Sequence, residues 1–237
     1  MYLKRVVNCM LVIRNSRLRN FLKILIPFVL IPILVFTGVI VFAEKRYLLV
    51  SFGVAILAII LFIAGFEKKM TGSRRMVIVS VMTAFCIVGR FIPFFKPITA
   101  ITVITAIYLG GESGFLVGAL AAVLSNFYFG QGPWTPFQML AWGLIGLFAG
   151  YLSKWLKKSR GLLIAYGIMS GVVYSMVMDV WSVVWYNSSF EWGIYKASMI
   201  TAIPHTVLYA VSNFIFLWFL AKPIGEKLER IRIKYGV

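Results

Sequence analysis

The sequence predicts an all-α polytopic membrane protein, with a core of six transmembrane helices preceded by two extra N-terminal spans. Three observations lead to this class. Hydrophobic residues make up 61% of the 237 residues and charged residues 13%, and the mean hydropathy is +0.93. A soluble domain of this length has no core large enough to bury so much apolar surface. The basic residues lie between the apolar stretches, as they do in membrane proteins.

The first two spans are expected at 21–43 and 47–66, since a helix needs about 20 residues to cross the hydrocarbon core. Both are rich in Ile, Leu, Val and Phe and almost free of polar side chains, which is typical of helices that face lipid or pad a bundle. A polar linker at 67–75 follows them. We therefore predict an N-terminal unit at 1–75, consisting of a basic tail, a two-helix hairpin and this linker.

The second unit is predicted at 76–237, as a six-helix membrane core with a basic C-terminal tail. Its six spans are expected at 76–92, 98–110, 113–130, 136–153, 161–184 and 197–221.

The basic residues predict that both termini are cytoplasmic. With the N-terminus inside, 19 of the 24 Lys and Arg residues fall on the inner side, and the other five are Lys45, Arg46, Arg90, Lys96 and Lys196. This bias follows the positive-inside rule. The expected location is a bacterial cell membrane, and contact of the basic tails with anionic lipid accounts for most of the net charge of +17.

Polar residues from five different spans fall in the predicted outer half of the membrane, namely Arg90, Asn126, Gln138, Asp179 and His205. Ionisable and amide groups are costly in hydrocarbon, so their shared depth predicts a binding site. Individual residues also have structural interpretations. Asp179 could pair with Arg90 or His205, and His205, Asn126 and Gln138 could simply hydrogen bond between helices.

Three predicted outer loops, at 91–97, 127–136 and 185–195, are rich in aromatic residues. Single Trp and Tyr residues are common at membrane interfaces. Their concentration on one side favours a mostly apolar cavity with a few convergent polar groups. The further candidate substrate contacts are Phe94, Gln131, Trp134, Trp142 and Trp185.

Small residues recur every four positions at Gly114, Gly118 and Ala122. Such spacing lets helix backbones approach closely within a membrane. It predicts either packing inside the chain or a flat face on which another membrane subunit slides.

Motifs of catalysis and metal binding are missing from the sequence. It contains no His-Glu-x-x-His, Gly-x-Ser-x-Gly or Walker motif, and the chain has seven acidic residues and one His. Cys9 and Cys86 show no metal-ligand spacing. We predict that the protein is not an enzyme and has no metal or cofactor of its own. Proton coupling through Asp179 and His205 is the chemical alternative, although ion-driven carriers usually show broken helices at the midplane.

Residues 132–146 read Gly-Pro-Trp-Thr-Pro-Phe-Gln-Met-Leu-Ala-Trp-Gly-Leu-Ile-Gly and follow an outward Gly/Ala-rich helix. This segment resembles the substrate-binding S-components of energy-coupling factor (ECF) vitamin transporters, and the resemblance covers 76–221. It implies a six-helix subunit that captures a vitamin with its outer loops. It also implies a transmembrane coupling subunit and two cytoplasmic ATPases as partners, which bind the ATP, and release of substrate by toppling in the membrane.

The resemblance also indicates partner contacts. The family typically carries an Ala-x-x-x-Ala pattern on its first core helix, whereas here Ala84 is followed by Val88. These two residues, together with Gly114, Gly118 and Ala122, are the predicted partner interface.

The substrate indicated by the resemblance is cobalamin or a related corrinoid, whose propionamide groups Asn126, Gln131 and Gln138 could contact. Riboflavin, thiamine or a queuosine precursor could also stack on the aromatic residues. A stand-alone ion-coupled carrier and a structural or assembly membrane protein are the rival classes.

Overall fold

The computed structural model describes residues 13, 15–42, 47–65, 69–187 and 189–235, and within these residues it contains helices and no strand. The helices are α1 (Ser16–Leu25), which continues through a π-helical turn (Ile26–Leu30) into α2 (Ile31–Phe42), then α3 (Tyr47–Ala64), α4 (Lys69–Gly89), α5 (Ile98–Leu109), α6 (Gly111–Phe129), α7 (Thr135–Tyr151), α8 (Ser153–Lys158), α9 (Arg160–Asn187) and α10 (Trp192–Tyr235).

Five stretches are long and apolar enough to cross a membrane: Ser16–Gly38, Tyr47–Ala64, Gly111–Phe129, Arg160–Asn187 and Trp192–Tyr235. The predicted class, an all-α polytopic membrane protein, is therefore confirmed. The predicted N-terminal basic tail lies outside the described residues, apart from its end next to α1.

Helix bounds differ from the predicted spans in two parts of the chain. α4 begins at Lys69, so most of the predicted linker 67–75 is helical, and the helices of the C-terminal half are longer than predicted. α9 has 28 residues and α10 has 44, with Pro204 and Pro223 inside it. The predicted spans 161–184 and 197–221 were shorter because they counted only the apolar stretch, whereas α10 continues through its polar C-terminal segment. The short helix α8 was not predicted.

The helices run between two ends of different composition. Arg75, Lys157 and Arg232 lie at one end, which we call the basic end. Phe91, Phe129, Trp134 and Trp192 lie where helices begin or end on the opposite side, which we call the aromatic end.

Helix α5 forms the centre of the bundle. All of its residues are buried except Tyr108, and it packs against α4, α6, α7 and α10. Its 12 residues give a length of about 18 Å, which is shorter than the hydrocarbon core of about 30 Å. Both ends of α5 therefore lie inside the bundle, and its neighbours' side chains surround them.

The N-terminal hairpin packs directly on the six-helix block. Phe36 meets Phe137 edge to face, with ring centroids 5.5 Å apart, and Phe28 meets Phe148 at 5.7 Å. Buried residues of α2 and α3 belong to the same hydrophobic core as those of α5 to α7. The hairpin therefore covers one face of α6 and α7 in this structure.

The three small residues of α6 lie inside the bundle, and the prediction that they form an outer sliding face is corrected accordingly. A Cβ on Gly118 would lie 2.7 Å from backbone atoms of Trp142, and a Cβ on Gly114 would lie 2.4 Å from Cβ of Ala106. Ala122 is fully buried. The four-residue spacing thus lets α6 approach α5 and α7 closely.

Candidate functional site

Arg90 stands at the aromatic end, immediately after α4, and its side chain points into the bundle. Its Nη1 donates hydrogen bonds to Oδ1 of Asn126, at 2.7 Å, and to the hydroxyl of Ser125. The guanidinium also lies over the rings of Phe129 and Trp142, 4.8 and 5.8 Å from their centroids. Aromatic faces attract cations in this way, so α4 is joined to both α6 and α7 through one side chain.

Asn126 extends this network to α7 and α9. It is buried, and its Nδ2 donates to Oγ1 of Thr135 and to Oε1 of Gln138, both at 2.8 Å. Gln138 in turn donates from Nε2 to the hydroxyl of Tyr174 at 3.1 Å. We call these hydrogen-bonded residues the polar cluster: Arg90, Ser125, Asn126, Thr135, Gln138 and Tyr174.

Stacked aromatic rings lie beneath the polar cluster. Trp142 and Tyr174 are nearly parallel, with centroids 4.6 Å apart and planes at 18°, and Tyr209 of α10 packs 4.9 Å from Tyr174. The indole nitrogen of Trp142 donates to Oγ1 of Thr99 on α5 at 3.2 Å. Trp142 and Tyr174 are both buried, and ring pairs favour such stacked or edge-to-face contact, so these residues hold α7, α9 and α10 together.

The loop before α7 is tied to the cluster through Thr135. Its hydroxyl donates to Oε1 of Gln131 at 3.0 Å, and Gln131 donates to the carbonyl of Val123 at 2.7 Å. Gly130 allows the chain to leave α6 here, since its φ of +105° suits glycine. Pro136 stands in the first turn of α7, where a missing N–H costs no hydrogen bond.

The loop after α4 is fastened by Lys96. Its Nζ donates to the carbonyls of Arg90 and Ile92, both at 2.7 Å, and its backbone exchanges hydrogen bonds with the hydroxyl of Ser212 on α10. Burial, followed by the positive charge of Arg90, lowers the pKa of Lys96. Phe94 points away from the cluster: it is 75% exposed and has a φ of 61°.

Trp134, Asp179 and Trp185 lie at the aromatic end but outside the polar cluster. Trp134 packs on Trp181, with centroids 5.8 Å apart. Asp179 accepts a hydrogen bond from Ser198 at 3.0 Å and lines a groove of about 150 Å³ between α9 and α10. Trp185 lies near the N-terminal hairpin, in a small pocket that also includes Pro133 and Val50.

His205 is exposed on α10, and in the described part of the chain no hydrogen bond joins it to Asp179 or Arg90. The structure therefore brings together three of the five predicted polar residues, Arg90, Asn126 and Gln138. Asp179 and His205 do not belong to this hydrogen-bonded network, and among the described residues no ion pair joins Asp179 to Arg90 or His205.

Four residues of the site were not predicted, namely Ser125, Thr135, Tyr174 and Tyr209. Of these four, Tyr174 could best have been found from the sequence, since a buried tyrosine on a transmembrane helix needs a hydrogen-bond partner for its hydroxyl. Among the described residues, no group of three or more His, Cys, Asp and Glu side chains could hold a metal ion.

Comparison with known proteins adds one match. A family model described as ECF transporter, substrate-specific component, matches residues 74–227, well over half of the chain. The match begins in α4 and leaves α1 to α3 outside. No curated protein and no solved structure matches the chain.

Proposed function

The chain belongs to the family of substrate-specific components of ECF transporters, and from this premise we propose that it captures a small molecule at its aromatic end. The polar cluster and the aromatic rings beneath it are the proposed site. Partner subunits would then couple this capture to ATP hydrolysis and inward release. The basic end and both termini would face the cytoplasm.

The single observation that carries this proposal is the environment of Arg90. Its side chain is partly buried, yet its partners in the described part of the chain are neutral, namely Ser125, Asn126 and two aromatic rings. A desolvated cation without a counter-ion favours the arrival of an anion. We therefore expect the substrate to present an anionic group to Arg90.

The amide groups beside Arg90 further restrict which chemical groups we expect on the substrate. Asn126 and Gln138 each offer both a donor and an acceptor, and Trp142 offers an apolar face. A corrinoid such as cobalamin carries propionamide groups and one phosphodiester, which match these three features, so it is our first candidate. The cluster would have to open at the aromatic end to admit so large a molecule. Riboflavin, thiamine and a queuosine precursor are the smaller alternatives.

The exposed face of α4 is the proposed docking site for a transmembrane coupling subunit. Val77, Val81, Ala84 and Val88 recur along this face and are exposed in this structure. Because the described residues leave it uncovered by other helices, Ala84 and Val88 remain available to a partner. ATP would be bound by the partner ATPases.

Calorimetric titration of the purified chain with cobalamin, riboflavin, thiamine and folate tests the proposal. We expect saturable binding of one of these compounds, and loss of at least about tenfold in affinity for Arg90→Gln and for Gln138→Ala, because each removes a hydrogen bond in a desolvated site. His205→Ala is the matched control outside the cluster, and its affinity should stay within about twofold of wild type.

Two results would contradict this assignment. Saturable binding that neither Arg90→Gln nor Gln138→Ala weakens would place the site elsewhere in the chain. Ionophore-sensitive uptake in vesicles lacking any ATPase partner would favour a stand-alone carrier instead. That alternative has less structural support, because Asp179 bonds to Ser198 and not to His205.

A further inference from the structure

A cavity of about 300 Å³ lies at the basic end, opposite the proposed substrate site. It is partly open and is lined by residues from the start of α4, the end of α5, α8 and the C-terminal part of α10. Three cationic side chains line it, Arg75, Lys157 and Arg232, together with the polar side chains of Tyr108 and Ser153. No carboxylate belongs to this lining in the described part of the chain.

The nearby carboxylates are already engaged. Glu229 is shared by two of the cations, at 3.2 Å from Nζ of Lys157 and 3.4 Å from Nη1 of Arg232. Glu112 pairs with Lys23 at 2.8 Å. The cavity is therefore surrounded by three positive charges, with one carboxylate shared between two of them.

Arg75 differs from the other two cations because it forms no ion pair within the described residues, although Glu112 attracts it from a greater distance. Within the described residues it has no carboxylate at ion-pair distance, and its buried Nε has no hydrogen-bond partner. Glu112, which is already paired with Lys23, attracts the charge of Arg75, and Arg232 opposes it. A buried donor left unpaired is costly, so an anion in this cavity would bond to Arg75 and relieve its repulsion with Arg232.

The backbone next to Arg75 is shaped to hold the guanidinium in this position. Gly110, between α5 and α6, has a φ of +95°, and a Cβ at this position would lie 2.6 Å from Nη2 of Arg75. The absence of a side chain therefore lets the guanidinium lie against the turn. Arg74 donates to the carbonyl of Tyr235 at 2.8 Å, which fastens the end of α10, and with it Arg232, to α4.

Size and depth indicate what kind of anion would enter. The volume equals that of about ten water molecules, which suits a phosphate with a small polar substituent. With the basic end at the cytoplasmic side, the cavity lies at the level of the inner-leaflet headgroups. Basic pockets between transmembrane helices on that side are a known setting for anionic lipid headgroups.

We propose that this cavity binds the phosphate of an anionic phospholipid from the cytoplasmic leaflet, with Arg75 and Arg232 as the principal contacts. Lys157 supplies the third charge and is held over the ring of Tyr108, 4.3 Å from its centroid. The bound lipid would bridge α4, α8 and α10 at their inner ends. This inference uses the proposed membrane orientation and does not depend on which substrate the aromatic end binds.

Native mass spectrometry of the delipidated full-length chain, titrated with phosphatidylglycerol or phosphatidylcholine, tests the proposal. We expect one phosphatidylglycerol to be retained in preference to phosphatidylcholine. Arg75→Gln and Arg232→Gln should each weaken its retention about fivefold, and the double variant about 25-fold, because each basic residue near anionic lipid contributes a factor of this size.

The chain offers matched controls on the same helices. Lys154 and Arg230 are exposed, lie near Lys157 and Arg232 in sequence and do not line the cavity. Lys154→Gln and Arg230→Gln should therefore leave retention within about twofold. Arg75→Lys keeps the charge and should retain more lipid than Arg75→Gln, which separates loss of charge from loss of folding.

The outcomes are distinguishable. Equal retention of both lipids, or equal weakening by cavity and control variants, would overturn the proposal. If glycerol 3-phosphate binds as tightly as phosphatidylglycerol and displaces it, the phosphate site stands but a soluble ligand replaces the lipid. If no phosphate compound binds while Arg75→Gln abolishes co-purification with the partner subunits, the cavity receives an acidic protein segment and the lipid proposal is wrong.

Discussion

Replacing Asn126 with leucine should destabilise the protein by about 2–3 kcal/mol, since the change keeps the approximate shape and removes three hydrogen bonds. Asn126 accepts one from Arg90 and donates one each to Thr135 and Gln138. Interhelical hydrogen bonds in membrane proteins average about 0.6 kcal/mol and reach about 1.7. The bond from Arg90 is charge-assisted, so the total lies above the simple average.

Asn213 provides a matched control. It is also a fully buried asparagine on a core helix, but it donates one hydrogen bond, to the carbonyl of Gly167 at 2.8 Å. Its Oδ1 has no partner among the described residues. Asn213→Leu should therefore cost about 1 kcal/mol or less.

The assay is reversible unfolding in mixed micelles with increasing sodium dodecyl sulfate, followed by circular dichroism. The quantity compared is the difference in free energy of unfolding between the two variants, because errors of extrapolation to zero denaturant largely cancel in it. If Asn126→Leu costs no more than Asn213→Leu, the three hydrogen bonds of Asn126 do not stabilise the structure. A double-mutant cycle between Asn126 and Gln138 then isolates their pairwise energy.

Two further predictions concern glycine at particular positions. Gly118→Ala should cost about 1–3 kcal/mol in the same unfolding assay, because the new Cβ would meet backbone atoms of Trp142. Gly161→Ala is the control, because its Cβ would meet nothing nearer than 3.8 Å, and its free energy of unfolding should stay within about 1 kcal/mol of wild type. If the two variants lose equal stability, the close packing described for α6 is wrong. Phe94→Gly should raise the melting temperature or leave it unchanged, because glycine adopts a positive φ without strain. Phe95→Gly is the control and should lower the melting temperature. If Phe94→Gly lowers it more than Phe95→Gly does, contacts of the Phe94 side chain stabilise the loop.

The meeting of Arg90, Asn126 and Gln138 could be predicted from the sequence because each lies close to a chain reversal at the same side of the membrane. Asn126 and Gln138 are separated by one short loop, and Arg90 follows its helix directly. Counting residues from a helix end estimates the depth of a side chain in the membrane accurately over such short distances. The prediction therefore located half of the polar cluster.

The same counting did not show that Asp179 and His205 lie outside the polar cluster, because their helices are longer than the hydrocarbon core is thick. α10 has 44 residues, or about 66 Å at 1.5 Å per residue, against a hydrocarbon core of about 30 Å. Such a helix tilts, kinks or leaves the bilayer, and hydrophobic length alone does not determine which. Depth and facing of His205 consequently depend on packing against α9, which no sequence spacing specifies.

Spacing was likewise insufficient to assign a neighbour to Gly114, Gly118 and Ala122. A row of small residues indicates that another helix approaches closely, but the approaching helix can belong to the same chain or to a partner. Here α5 and α7 occupy that face. The exposed row at Ala84 and Val88 has larger side chains, so its sequence indicates close helix packing less strongly. This row nevertheless remains uncovered in the structure.

The closed polar cluster places a condition on any substrate. If entry breaks the three hydrogen bonds of Asn126, the loss of about 2–3 kcal/mol lowers affinity by about 30- to 150-fold unless the ligand replaces them. A ligand with amide groups and one anionic group can replace them one for one and also neutralise Arg90, whereas a purely apolar ring system of equal size cannot. The cluster would therefore select for a substrate that carries polar groups at a set spacing. Specificity within this family member should then respond more strongly to changes at Asn126 and Gln138 than to changes at Trp142.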